Sequence, residues 1–237
     1  NGTLWVAVGT GTNSIAYSVD GITWTGLGTS IFLNGYGVAW NGTLWVAVGS
    51  GTNSIATSPD GISWTGLGKA IFSAAANGVA WNGTLWVAVG NDTHTIATSL
   101  DGSNWTGLST SIFSYGGYGV AWNGTLWVAV GQGTNTIATS PDGITWTGLG
   151  TSIFTAGYGV AWNGTLWVAV GQGTNHTIAT SPDGITWTGL GKSIFTTNGL
   201  GVAGNPKIGA TIVDSDIIIN SNGINASNSL EFVTENY

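Results

Sequence analysis

The stretch Trp40-Asn-Gly-Thr-Leu-Trp-Val-Ala-Val-Gly49 decides the fold of this chain because it is repeated at a fixed spacing. From its asparagine onward it occurs five times, and consecutive copies are 40 or 41 residues apart, at Asn1, Asn41, Asn82, Asn123 and Asn163. A second motif, first seen as Asp20-Gly-Ile-Thr-Trp24, recurs in step with it, with small variations. A fixed period near 40 residues is typical of propellers and other repeat architectures.

Each repeat contains four short runs with the alternation of a β-strand, and the second repeat serves as the example. Runs A, B, C and D are residues 36–40, 43–48, 54–58 and 62–65. Asn41-Gly42 joins runs A and B and favours a type I′ hairpin turn, which needs two positive φ angles. Pro59-Asp60-Gly61 joins runs C and D and is also typical of a tight turn. We therefore predict that each repeat is a four-stranded antiparallel meander.

Counting the runs predicts a closed ring. Runs B, C and D each occur five times, and run A also occurs five times, the last copy being residues 200–204. Since the sequence starts at run B, this final run A is expected to fill the inner position of the first repeat. We predict an all-β fold, a five-bladed β-propeller of four-stranded antiparallel blades formed by residues 1–204.

The last part of the chain, residues 205–237, leaves the repeat and is rich in Asn, Ser and Ile. It is predicted to form one or two strands as a C-terminal β tail or assembly segment. Three arrangements remain open: packing on its own ring, which we favour, entering a stalk, or self-association with a neighbouring chain by strand addition. Because the sequence begins inside a repeat, we expect it to be part of something longer.

Charged residues are scarce, which limits the classes of partner. The chain of 237 residues has three Lys, no Arg and ten acidic residues, for a net charge of −7. Nucleic-acid binding requires basic side chains that displace counterions from phosphates, so no nucleic acid is expected. No apolar run reaches the 18 residues or more of a membrane span, so no membrane insertion is expected. Two histidines, His94 and His176, lie in separate B–C loops, and we predict no metal and no cofactor.

The residues 18–24, Ser-Val-Asp-Gly-Ile-Thr-Trp, resemble the Asp-box, the Ser-x-Asp-x-Gly-x-Thr-Trp turn of sialidase-like propellers, with the residue between Asp and Gly missing. The resemblance implies a turn between the third and fourth strands of a propeller blade. The five-bladed closure is similar to the tachylectin-2 type of lectin propeller, whose repeat is longer. Sialidase activity is not implied, because that family's site needs an arginine cluster, and we predict a non-catalytic protein.

The five repeated aspartates are predicted to be turn residues rather than catalytic ones. They are Asp20, Asp60, Asp101, Asp142 and Asp183. An aspartate in a tight turn accepts backbone N–H groups. A glycoside hydrolase needs two carboxylates within about 10 Å of each other, and equivalent positions on a ring are expected to lie farther apart. A hydrolase is therefore the weakest of three functional hypotheses.

The repeats differ from each other mainly in the B–C loop and in the segment before run A, which strand direction places on one rim. The candidate ligand-binding residues on this rim are Asn53, Asn77, Tyr118, Asn135, Tyr158, Gln172 and Asn175. Uncharged amides and tyrosines suit hydrogen bonding to, and stacking on, neutral sugars. Sequence drift in permissive loops would produce the same differences, and both interpretations remain open. Most tryptophans are expected in the core, with an exposed subset available to stack on sugars.

These observations favour a non-enzymatic recognition module that is extracellular or on a virion or cell surface and binds neutral glycans through the loop-bearing rim. The alternative is a structural head or shaft module of a fibre, virion or cell-surface assembly that takes no small ligand. The two hypotheses differ in what they predict, which is saturable glycan binding for the first and assembly that depends on the tail for the second.

Overall fold

The structure is a computed structural model that describes residues 2–108 and 110–204, together with the backbone of two short strands in the tail. All regular structure in this part of the chain is β, and it contains no helix that could cross a membrane. The remaining residues of the predicted tail lie outside the described residues, so the assembly role of the tail stays a prediction.

The described strands form a repeating series. In chain order they are β1 (Trp5–Val8), β2 (Ile15–Ser18), β3 (Thr25–Gly26), β4 (Asn34–Trp40), β5 (Trp45–Ser50), β6 (Ile55–Ser58), β7 (Thr65–Gly66), β8 (Ala75–Trp81), β9 (Trp86–Asn91), β10 (Ile96–Ser99), β11 (Thr106–Leu108), β12 (Gly116–Trp122), β13 (Trp127–Gln132), β14 (Ile137–Ser140), β15 (Thr147–Gly148), β16 (Ala156–Trp162), β17 (Trp167–Gln172), β18 (Ile178–Ser181), β19 (Thr188–Gly189), β20 (Ile217–Asn220) and β21 (Gly223–Ala226).

The strands of one repeat pair antiparallel in chain order, as β4-β5-β6-β7 does in the second repeat. Strands β4 to β19 form one sheet because a single residue pair, such as Ser50 with Ala75, links the B strand of one repeat to the A strand of the next. Strands β1, β2 and β3 form a separate three-stranded sheet. The prediction of an all-β chain built from repeated antiparallel units of about 40 residues is therefore confirmed.

The turns differ from the predicted ones in detail. The A–B connection spans residues 41–44, and Gly42, but not Asn41, has a positive φ, so the type I′ prediction is wrong. The Oδ1 atom of Asn41 accepts the N–H groups of Thr43 (2.9 Å) and Leu44 (2.7 Å), which delays the start of the B strand to Trp45. The D strand likewise starts at Thr65, after the predicted residue 62, because the N–H groups of residues 62 and 63 bond to Asp60.

The core lies between neighbouring repeats. Four linker phenylalanines, Phe32, Phe72, Phe113 and Phe154, are buried. The first three pack on the glycine of the B strand in the repeat that follows, as Phe32 does on Gly49 and Phe72 on Gly90. The B-strand tryptophans Trp45, Trp86, Trp127 and Trp167 are 0 to 6% exposed. Each is paired with the tryptophan at the end of its A strand, with ring centroids 5.0 to 5.2 Å apart. For these tryptophans, the expectation of a core role agrees with the structure.

The sheets do not close into a ring within the described residues. Residues 200–204, predicted to pair with β1, form no strand, although Gly201 lies against Gly159 of β16. At the other end, Trp5 of β1 is 63% exposed, unlike its counterparts in the other repeats. The number of blades and the closure of the ring therefore stay predictions.

Candidate functional site

The C–D turns are built by their serine and aspartate side chains. In the second repeat, Ser58 Oγ donates to Asp60 Oδ1 (2.9 Å), which also accepts the N–H groups of Ile62 and Ser63. The indole N–H of Trp64 donates to the carbonyl oxygen of Gly61 (3.1 Å). These backbone hydrogen bonds, the one from Ser63 first, lower the pKa of Asp60 from 3.8 to about 2. The same arrangement holds Asp20, Asp101, Asp142 and Asp183.

This geometry gives the five aspartates a structural task and separates them by one repeat each. A carboxylate whose oxygen already accepts two backbone N–H groups stays ionised and is a poor general acid. Within the described residues there is also no group of three His, Asp or Glu side chains able to hold a metal ion. The candidate site is therefore better sought on the other rim.

The second rim, here called the loop rim, carries the B–C loops and the linkers that lead from each D strand to the next A strand. Strand direction places these connections at the end opposite the A–B and C–D turns. The bridge between Thr10 and Asn34 shows that a B–C loop and the start of the next A strand meet there. The same end holds the hydrogen bond from the Asn53 amide to the linker carbonyl of Ile31 (2.8 Å).

A β-bulge in each described A strand presents one side chain at the loop rim. The register between β4 and β5 shifts between Gly35 and Gly37, which leaves Tyr36 as the extra residue. The same shift occurs in β8, β12 and β16. The extra residues, here called the bulge row, are Tyr36, Asn77, Tyr118 and Tyr158. Bulges often re-aim a side chain beside a functional site, and here they do so at equivalent places in four repeats.

Each member of the bulge row contacts the last residue of its own B strand. Tyr118 OH donates to Gln132 Oε1 (3.1 Å), and Tyr158 OH donates to Gln172 Oε1 (3.2 Å). In the third repeat, Asn77 Nδ2 donates to Asn91 Oδ1 (2.8 Å).

In the second repeat, the hydroxyl groups of Tyr36 and Ser50 are 3.2 Å apart. The fourth and fifth repeats thus each carry a tyrosine–glutamine pair. The second repeat instead pairs a tyrosine with a serine, and the third pairs two asparagines. The row is uncharged throughout, which suits recognition of hydroxyl groups.

The bulge row is continuous from one repeat to the next. The rings of Tyr118 and Tyr158 have centroids 5.6 Å apart at an angle of 48°, and Asn77 Nδ2 also donates to the carbonyl oxygen of Gly117 (2.8 Å). Burial, followed by the charge of Tyr158, raises the pKa of Tyr118, so its hydroxyl stays a donor at neutral pH. The structure therefore brings together four of the predicted residues, Asn77, Tyr118, Tyr158 and Gln172.

Asn53 and Asn135 have a different position from the bulge row. Asn53 is 9% exposed, and its amide joins two segments: Oδ1 accepts Gly68 N–H (2.9 Å) while Nδ2 donates to Ile31 O. Asn135 makes the same pair of bonds, to Gly150 and Ile112. Both amides thus hold the scaffold, each through one bond from Nδ2 and one bond to Oδ1. Asn175 is exposed in the longer B–C loop of the last repeat and lies apart from the row.

The two histidines stand at the same structural position as these asparagines. His94 Nδ1 lies 2.8 Å from Leu108 O, and His176 Nδ1 accepts the N–H of Gly191 (2.9 Å). A Cβ on the facing glycine, such as Gly66 beneath Asn53 or Gly189 beneath His176, would overlap the side chain. The glycine of the repeated Trp-Thr-Gly-Leu sequence therefore leaves room for the Asn or His side chain that joins the B–C loop to the end of the D strand.

Sequence reasoning missed four members of the site: Tyr36, Ser50, Asn91 and Gln132. A signal for the B-strand residues was present, because the residue that follows the repeated Trp-Val-Ala-Val-Gly sequence changes from Ser50 to Asn91 to Gln132 while the five residues before it do not change. Its pairing with the bulged residue is what the sequence does not reveal, since the two lie 14 residues apart and meet only through the strand register.

The charges of the described residues are segregated between the two rims. Five acidic side chains lie in the C–D turns, whereas the loop rim carries Asp92, Lys69 and Lys192. Asp92 accepts a hydrogen bond from Ser73 Oγ (2.7 Å). Among the described residues, the loop rim therefore carries no net negative charge.

No protein-family model and no curated protein matches the sequence. Among solved structures, the chain is similar to one in a crystal structure of the nidogen/laminin complex, with a TM-score of 0.64 and 14% identity, over 84% of this chain and 81% of the other. It is also similar to a structural-genomics protein of unknown function from Bacteroides thetaiotaomicron VPI-5482, with a TM-score of 0.57 and 12% identity, over 87% of this chain and 62% of the other. At these identities the likeness shows the fold alone, and that fold is a β-propeller-like repeat structure.

Proposed function

We propose that this protein is a non-catalytic recognition module, extracellular or on a virion or cell surface, that binds neutral glycans through the bulge row on the loop rim. The observation that carries the proposal is the bulge itself, which presents a tyrosine or asparagine at the rim in four successive repeats and pairs it with a polar residue of the neighbouring strand.

The chemistry of the row suits a sugar. Tyrosine rings offer apolar faces to the C–H groups of a pyranose, and amides offer donors and acceptors to its hydroxyl groups. Because Oε1 of Gln132 and Gln172 is occupied by a tyrosine hydroxyl, the NH₂ group of each remains the donor toward a ligand. Similar neighbouring sites would each bind weakly, and a glycan that spans several of them would gain affinity through avidity.

The proposal includes closure of the repeats into a five-bladed ring of the Asp-box-like kind, with residues 200–204 joining the first blade. Three kinds of contact that join neighbouring repeats are not made at the first and last repeats. The surfaces left exposed there are complementary to each other. Gly201 lies against Gly159, but no described atom lies within 4 Å of its Cβ position, where every earlier inner strand meets the next. Phe195 is 40% exposed, while Gly9, the counterpart of the glycines that the buried phenylalanines cover, has open space beside it.

The third pair of surfaces involves Trp5. In the second repeat the turn glycine Gly61 lies against Leu4 and Val6 of the first repeat, whereas the described atoms nearest to the corresponding Gly21 belong to Trp5. The last repeat offers the matching leucine and valine, Leu166 and Val168, and neither is fully buried.

The same exposed surfaces support one alternative, a structural head or shaft module in which they join separate chains and residues 205–237 contribute to self-association. A heterologous contact of this kind would produce open filaments rather than a closed monomer. The mass of the protein in dilute solution, measured by light scattering, distinguishes the two: a monomer supports closure, and growth with concentration supports the alternative.

The functional proposal is tested on a glycan array with the Tyr118→Ala/Tyr158→Ala double variant. Tyr115→Ala is the matched control, because Tyr115 is 72% exposed and lies beside the row without belonging to it. We expect saturable binding of the wild type and the control to a neutral glycan, and binding weakened about tenfold or more in the double variant. The reason is that stacking of a sugar on a tyrosine ring and hydrogen bonds to the tyrosine hydroxyl together contribute about 1 to 3 kcal/mol. Binding that is the same in all three proteins, or no binding at all, would overturn the proposal.

A further inference from the structure

A cleft of about 290 Å³ opens on the loop rim of the fifth repeat, between its B–C loop and the linkers on either side of that repeat. It is lined by Thr155, Gln172, Gly173, Thr174, Lys192, Thr196 and Thr197. This volume is at the lower end of the range of about 300 to 1,000 Å³ for small-molecule sites, so it suits one sugar residue rather than a longer chain. The cleft shares Gln172 with the bulge row and is thus continuous with the proposed glycan site.

Lys192 is the feature that distinguishes this cleft from the rest of the rim. Its side chain is half-buried and has no ion pair in the described part of the chain. Lys69, at the equivalent position of the second repeat, is exposed. A partly desolvated ammonium group without a counter-charge gains more from an incoming anion than an exposed one does. The position therefore favours a ligand with a negative charge.

The other side chains of the cleft are neutral hydrogen-bonding groups. Four threonine hydroxyls and the Gln172 amide surround Lys192, and Thr155 Oγ1 is held by a bond to the carbonyl oxygen of Gln172 (3.0 Å). Such a set can bind the hydroxyl groups of a sugar while the ammonium group binds its single carboxylate. A phosphate would leave more charge uncompensated, since Lys192 is the one cation among the described residues that line the cleft.

The charge distribution of the protein permits an anionic ligand here. The five turn aspartates are at the opposite rim, and Asp92, the acidic residue of the described loop rim, belongs to the third repeat and is bonded to Ser73. Over such separations, solvent-exposed charges are largely screened at physiological ionic strength. Among the described charged side chains, Lys192 is the one that lines the cleft.

We propose that this cleft is a subsite for a carboxylate-bearing sugar residue, of the uronic acid class, within the glycan that the bulge row binds. The inference rests on the proposed function and adds to it a single position for an acidic sugar residue at the fifth repeat. It also assigns a role to the longer B–C loop of the last repeat, residues 172–177, which forms one wall of the cleft.

The test measures, by titration calorimetry, the affinity for two oligosaccharides of equal length, one neutral and one ending in a uronic acid. The proteins are wild type, Lys192→Gln and the control Lys69→Gln. We expect the wild type and Lys69→Gln to bind the acidic oligosaccharide about tenfold more tightly, because a hydrogen bond to a charged group contributes about 1.5 to 3 kcal/mol. Lys192→Gln is expected to lose this preference and to keep its affinity for the neutral oligosaccharide.

Two outcomes would overturn the subsite while leaving the glycan-binding function intact: equal wild-type affinity for both ligands, or equal effects of the two lysine substitutions. Failure of the proposed function has a different signature, in which neither oligosaccharide binds any of the proteins. Raising the salt concentration should reduce the acidic preference of the wild type and leave neutral binding unchanged.

Discussion

The Asn53→Ala substitution tests whether the B–C loop asparagines serve the scaffold or the ligand. Asn53 is 9% exposed, and its amide bonds to Gly68 N–H at 2.9 Å and to Ile31 O at 2.8 Å. Alanine removes both partners and leaves a backbone N–H and a backbone C=O without them. An unsatisfied buried group costs about 1 to 3 kcal/mol, so the free energy of unfolding should fall by about 2 to 5 kcal/mol.

The assay is urea unfolding followed by tryptophan fluorescence, with the slope of the transition compared between variants. A lower midpoint at an unchanged slope reports lost stability rather than a changed unfolded state. His176→Asn is the matched control, because His176 already occupies the equivalent position and asparagine performs the same task in three other repeats. Its effect should be within about 0.5 kcal/mol.

A double-mutant cycle sharpens the prediction. A Cβ at Gly66 would overlap the Asn53 side chain, so Gly66→Ala is expected to be destabilising in the wild type and much less so in Asn53→Ala. Residues in contact commonly couple by about 0.5 to 3 kcal/mol, whereas independent ones add. Additive effects, or an Asn53→Ala protein as stable as the wild type, would refute the scaffold role of Asn53. Asn53 would then again be a candidate for direct ligand contact.

Three further predictions concern the turn aspartates and the glycines Gly119 and Gly201. The turn hydrogen bonds lower the pKa of the Asp60 carboxyl group from 3.8 to about 2, and they lower those of the other four turn aspartates. The stabilisation they provide should be complete above about pH 4 and be lost as the pH falls toward 2, visible as a falling urea midpoint over that interval; a midpoint constant down to pH 2 would contradict it. Gly119→Ala should destabilise by about 1 to 3 kcal/mol, because its Cβ would lie 3.2 Å from both Tyr158 O and Val130 Cγ2. Gly201→Ala should lower the free energy of unfolding by a similar amount if the ring closes. If the ring stays open, the substitution should not destabilise the protein, since no described atom lies within 4 Å of the Cβ position.

Much of the fold was predictable because it rests on local chemistry. The repeat period, the alternating strands and the turn aspartates follow from residues close together in sequence, such as Ser58 and Asp60, whose hydrogen bond spans two positions. The exact strand limits were less predictable. Asn41 and Asp60 accept N–H groups two and three residues ahead, and this shifted strands β5 and β7 later than the alternation indicated.

The sequence by itself determined that this chain is an all-β repeat with an uncharged, variable set of side chains in its B–C loops and linkers. Only the tertiary structure decided which of these side chains meet. Asn53 and Asn77 look equivalent as exposed polar residues, yet one is committed to the scaffold and the other stands in the bulge row. Tyr118 reaches Gln132 across a bulge and Tyr158 across a full repeat. Bulges, strand register and contacts between repeats depend on partners far away along the chain, so they are fixed by how the sheets pack rather than by any local run of residues.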